Sequence, residues 1–119
     1  MRRLRVSLLL VCLTTATLAL TGPAGAATTR VCTSPKYPGE GYFTTLTVKG
    51  VSCSTGKKLA IAYYRCRVRN GGRKGRCTSR VSDFRCTEQR TTIPTEINAR
   101  VTCERGGTQT VVHTYQQNT

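Results

Sequence analysis

INARVTCE, residues 97 to 104, decides how this chain folds. Ile97, Ala99, Val101 and Cys103 fall in one phase of a two-residue period, and Asn98, Arg100, Thr102 and Glu104 fall in the other. Successive strand side chains point to opposite faces, so the stretch reads as a strand with one buried and one wet face. RVSDFRCTE (80–88) alternates too, with Phe84 and Cys86 on one face against Asp83, Arg85 and Thr87. A hairpin turn at Thr92-Ile93-Pro94-Thr95, centred between Pro94 and Thr95, would set Cys86 opposite Cys103. That is one of the many ways the cysteines can pair. Downstream, Gly106-Gly107 makes a short turn, and TQTVVHTYQ (108–116) supplies a final strand.

Upstream, YFTTLTVKG (42–50) also alternates. Tyr42, Thr44, Leu46 and Val48 share one phase, and Phe43, Thr45, Thr47 and Lys49 share the other. Its aromatic and β-branched content predicts a strand ending at Gly50. KKLAIAYYRC (57–66) follows a different period. Leu59, Ala62, Tyr63 and Cys66 recur at spacings of three and four among helix formers, with Ser52, Ser54 and Thr55 as candidate N-caps. Lys57 and Lys58 would oppose the macrodipole if the helix began beside them. Asn70-Gly71-Gly72 ends it. The expected fold is α+β: one helix on a mainly antiparallel sheet of about four strands, in the order β-α-β-β-β. Residues 42–119 form a single small domain, preceded by an extended arm over 27–41 that Cys32 ties down.

The chain opens with Arg2, Arg3 and Arg5, an uncharged, mostly apolar run from Val6 to Leu20, and Ala24-Gly25-Ala26. This is the three-part layout of a secretory signal peptide over residues 1–26, with a run shorter than the ~20 residues that span a bilayer. Cys12 would leave with it. Cys32, Cys53, Cys66, Cys77, Cys86 and Cys103 then remain, an even set that predicts disulfides in an exported chain. Aliphatic residues are sparse, so the single core needs such staples. Of the 19 basic residues, 16 lie after the signal segment against five acids, a formal charge of +11. That excess favours polyanions: a cell-wall polymer, a lipid surface or nucleic acid, bound without specificity.

The densest basic stretch is CRVRNGGRKGRC (66–77). Arg67, Arg69, Arg73, Lys74 and Arg76 lie within it, and Arg65 and Arg80 flank it. These seven are the expected binding patch, since guanidinium forks suit phosphates and carboxylates. A loop closed by Cys66 and Cys77 would also suit a trypsin-like protease as bait, but its paired glycines predict poor preorganisation. A ribonuclease is a second alternative: Glu88 or Glu96 as base, Arg100 or Arg105 to stabilise charge, and His113 as acid. No nucleophile elbow, phosphate loop or metal-ligand spacing occurs. The chain therefore reads as a monomeric non-enzyme without cofactor or metal.

GYFTTLTVKGVSC (41–53), GRCTSRVSDFRCTEQR (75–90) and ARVTCERGGTQTVVHTYQQ (99–117) resemble small secreted cysteine-containing basic proteins of actinobacteria, a group without assigned function. The resemblance implies export and a compact disulfide-linked domain. It implies no catalytic or binding residue.

Overall fold

Among the described residues, five antiparallel strands, ordered β1-β2-β5-β4-β3, form one sheet with a single long helix on its inner face. The computed structural model describes residues 27–119; the expected signal segment, 1–26, lies outside them. The elements are β1 (Arg30–Val31), β2 (Gly41–Lys49), α1 (Cys53–Arg69), β3 (Arg85–Ile93), β4 (Glu96–Arg105) and β5 (Gln109–Asn118), with a 3-10 turn at Gly72–Lys74. The α+β reading holds, but the sheet has five strands and not about four. The extra one, β1, lies within the 27–41 arm, and two residues carry no legible period. The arm also contributes to the core, because Tyr37 is buried.

The alternation read in β4 is realised: Ile97, Ala99, Val101 and Cys103 are all buried. Ile93 pairs with Glu96 around Pro94-Thr95, Cys86 pairs with Cys103, and the two cysteines are bonded. Cys32–Cys53 ties the arm to the start of α1, and Cys66–Cys77 closes the basic loop. In β2 the simple alternation fails. Phe43 pairs with Tyr115 and Thr45 with Thr114, leaving Thr44 as an extra residue. This bulge shifts the phase, so Phe43 joins Leu46 and Val48 in the core while Tyr42 stays exposed. β3 also starts later than expected. Val81 and Phe84 instead close a tight turn whose central residues, Ser82 and Asp83, have φ of 48° and 66°. Left-handed backbone at both positions matches the twist of a two-residue hairpin.

Ser52 caps α1, its Oγ accepting from the Thr55 amide at 3.1 Å. The helix thus begins four residues before Lys57, whose charge sits beyond the first turn, where the macrodipole has faded. Its inner stripe is Gly56, Leu59, Ala60, Tyr63, Cys66 and Arg67. Gly56 lets the helix approach β2 closely: a Cβ there would lie 2.5 Å from Val48 Cγ1. Gly56→Ala should therefore lower stability by about 1–2 kcal/mol despite better helix propensity. Urea unfolding checks this, and Val48→Ala should cost less in the Gly56→Ala background than in the wild type. An unchanged midpoint would contradict the close packing.

Candidate functional site

Six of the seven basic residues expected to form one patch divide into three groups, and Lys74 stands apart from them. Arg67 is a correction: its side chain is fully buried, because it sits four residues after Tyr63 on the helix's inner stripe. Its Nη2 donates to Gln117 Oε1 at 2.7 Å and Tyr37 Oη at 3.0 Å, and its Nη1 reaches the Arg73 carbonyl at 3.4 Å. The guanidinium lies 4.3 Å from the Tyr115 ring centroid. A charge removed from water needs such partners, and here carbonyl, amide, phenol and π-face oxygens and electrons supply them. Burial pushes the Tyr37 phenol up to about 12, against the opposing pull of Arg67.

Arg90, on β3, does the same for the next two residues of the loop. Its Nη1 donates to the Lys74 carbonyl at 3.0 Å and its Nη2 to the Gly75 carbonyl at 2.8 Å. Gln117 Nε2 adds a 2.7 Å bond to the Arg73 carbonyl. Three successive carbonyls thus point inward, onto donors from α1, β3 and β5. Gly75 makes this possible: a Cβ there would lie 2.0 Å from the Arg67 carbonyl oxygen. Glu88 completes the cluster beneath the loop, accepting from Arg90 at 2.8 Å, Arg76 at 3.4 Å and the Tyr115 hydroxyl. The paired glycines therefore do not leave the loop loose. A protease bait, however, must offer the carbonyl of the residue filling the specificity pocket to the protease's oxyanion donors. The Arg73 and Lys74 carbonyls are already committed, which weighs against that use.

Arg73 and Arg76 form the second group. Both are exposed but carry carboxylate partners, Glu40 at 3.1 Å and Glu88 at 3.4 Å. The third group is Arg65, Arg69 and Arg80, which line one open cleft of about 270 Å³ with Ala62, Cys66, Val81 and Ser82. Arg65 and Arg69 are one helical turn apart, and Arg80 faces them from the Val81–Phe84 turn. Among the described residues none of the three has a salt-bridge partner, and Lys74 is likewise exposed without one. Arg80 Nη1 reaches only the Asp83 carbonyl, at 3.4 Å.

Sequence reasoning missed Lys57 and Lys58 as site residues. They line a second cleft of about 340 Å³ with Pro35, Ile61 and Arg65, so Arg65 borders both. The signal was present: α1 has no acid in its 17 residues, and positions 57, 58, 61, 65, 68 and 69 fall on its outer side.

The ribonuclease set does not converge. Glu88 and His113 are both in register with Val101, two strands apart at about 10 Å on the inner face. Arg100 is exposed on the outer face, between Gln89 and Thr114. Glu96 is held by Asn98 at 2.9 Å and by Gln116. Arg105 lies 4.3 Å from the Phe84 ring centroid and bonds Gln109 at 2.6 Å. His113 is sealed between the Phe43 and Tyr63 rings, with neither ring nitrogen hydrogen-bonded. Burial, then the Arg67 charge, lowers its pKa to about 3, leaving it neutral and unable to act as an acid at ordinary pH.

Compared with known family models, curated protein sequences and solved structures, the chain matches none.

Two outcomes follow from the buried groups. Arg67→Met removes the donor to the Tyr37 hydroxyl oxygen and one of two donors each to Gln117 Oε1 and the Arg73 carbonyl, and should cost about 2–3 kcal/mol in urea unfolding; an equally stable variant would refute its anchoring role. His113 has a lower pKa folded than its ordinary 6.5, so the unfolded chain takes up the proton first. Its contribution is full above pH 6.5 and is lost as pH falls towards 3, with a slope of about 1.4 kcal/mol per unit. Between pH 6.5 and 5, before carboxylates titrate, His113→Phe should flatten the fall in stability. A wild-type profile already flat there would contradict the burial of a neutral imidazole.

Proposed function

We propose that this is an exported, non-enzymatic cationic domain that binds an anionic envelope or extracellular polymer by charge, through the Arg65–Arg69–Arg80 cleft. The observation that carries this reading is that three arginines from two separate segments line one cleft, and none has a salt-bridge partner among the described residues. Like charges one helical turn apart repel, and an anion between them removes that cost. The three disulfides and the Arg-led, apolar N-terminal segment support export. No helix among the described residues is long and apolar enough to cross a membrane.

The binding set is narrower than the sequence implied. Arg67 is withdrawn from it because it is buried, while Arg73 and Arg76 are partly neutralised by Glu40 and Glu88. Without base-edge readers or stacked aromatic side chains in the cleft, recognition is led by charge rather than by sequence.

The test is a salt series with fluorescent heparin fragments and the oxidised protein. Binding should weaken steeply with salt, and the triple variant Arg65→Ser, Arg69→Ser, Arg80→Ser should reduce the log–log slope by about two to three. Equal binding by that variant would reject the cleft as the site.

A further inference from the structure

The two clefts bordered by Arg65 lie end to end along the outer side of α1. The first holds Lys57 and Lys58, and the second holds Arg69 and Arg80. From Lys58 to Arg65 the helix advances about 10 Å, and from Arg65 to Arg69 about 6 Å. The result is a track of five cations with Arg65 at its middle. No acid on α1 interrupts it, and none of the five has a salt-bridge partner among the described residues. The carboxylates of Glu40 and Glu88 are occupied elsewhere, by Arg73, Arg76 and Arg90.

We infer that the two clefts are subsites for a single linear polymer with a phosphate-bearing backbone, laid along α1. This rests on the polyanion reading above and deepens it. Phosphate suits the second cleft better than carboxylate does. Two of its arginines, Arg65 and Arg69, come from the helix and the third, Arg80, from the residue just before the Val81–Phe84 turn, so its cations are supplied by two separate segments. A tetrahedral oxyanion presents acceptors on several sides, whereas a planar carboxylate presents two oxygens in one plane. Lys57 and Lys58 act as point charges and suit a second unit of the chain without fixing its orientation. A linear occupant also fits better than a bilayer. The apolar residues between the charges are Ile61, half-buried, and Val68, 37% exposed, and the one aromatic neighbour, Tyr64, is partly buried with its ring packed edge-on to Tyr37 and its hydroxyl end over Gly39 rather than free to enter an interface.

Engagement of both clefts by one chain makes the second contact intramolecular, so affinity should rise sharply once the ligand reaches both. The experiment uses pyrophosphate and long-chain inorganic polyphosphate with the oxidised protein, titrated calorimetrically at fixed salt. Two double variants accompany it: Lys57→Ser with Lys58→Ser, and Arg69→Ser with Arg80→Ser. All four positions are on the surface, and circular dichroism verifies the fold. Long-chain polyphosphate should lose about tenfold in affinity with either pair. Pyrophosphate should lose affinity only with the Arg69/Arg80 pair. Long-chain binding that ignores the Lys57/Lys58 pair would overturn the two-subsite inference and leave the charge reading standing. Heparin binding without polyphosphate binding would overturn the phosphate assignment alone. Tighter, equally variant-sensitive binding to phosphatidylglycerol vesicles would replace the linear polymer with a membrane surface. Loss of every interaction, heparin included, would remove both readings.

Discussion

A buried arginine organises this protein. Arg67 brings a full charge into the interior without a carboxylate against it, and it is tolerated because four parts of the chain supply electron-rich partners. Tyr37 comes from the N-terminal arm, the Arg73 carbonyl from the basic loop, Gln117 from β5, and the Tyr115 ring from the sheet's inner face. Burying a charge is costly unless it finds partners, and Nη1 and Nη2 find theirs only where these segments meet, although Nε is left without one. With so few aliphatic residues to form a core, this polar hub and three disulfides share the work that a larger apolar interior does elsewhere.

The same hub sorts the protein's charge. A positive excess read along the chain looks like one patch, but folding separates its members by role. Arg67 and Arg90 face inward and hold the loop by its main chain. Arg73 and Arg76 stay outside with carboxylate partners. Arg65, Arg69 and Arg80 are left uncompensated around a cleft. Fixing the loop from beneath also fixes the end of α1 and, through Cys66–Cys77, the segment that carries Arg80. The backbone around the cleft is thereby tethered on both sides, which would limit the ordering cost of the polyanion binding proposed above.

Much of the fold was legible because its strands have one wet face. The period-2 pattern over Ile97–Cys103 identified β4, and the hairpin centre between Pro94 and Thr95 correctly set Cys86 against Cys103. The helical stripe through Leu59, Tyr63 and Cys66 was equally clear. What escaped notice depended on single residues that no period reveals. Thr44 enters as a bulge and moves Phe43 to the core; β1 is too short to alternate; and Ser82 and Asp83 adopt left-handed backbone inside a run that reads as strand. The site was less legible than the fold. Arg67 continues the helix's buried spacing, yet its residue type argues for the surface, and only the packed partners decide between them. Lys57 and Lys58 bear on the helix start as well as on the site, and their spacing to Arg65 places all three on one side of α1.

The most direct test of this account is limited digestion of the oxidised protein with trypsin, with the cut sites read by mass spectrometry. Cleavage requires the loop to swing its Arg73 and Lys74 carbonyls out to the protease, away from Gln117, Arg67 and Arg90. Arg73 and Lys74 should resist cutting until conditions under which the whole domain unfolds. Rapid cleavage at those residues in the folded protein would contradict the account, because the loop would then be free of the buried arginines.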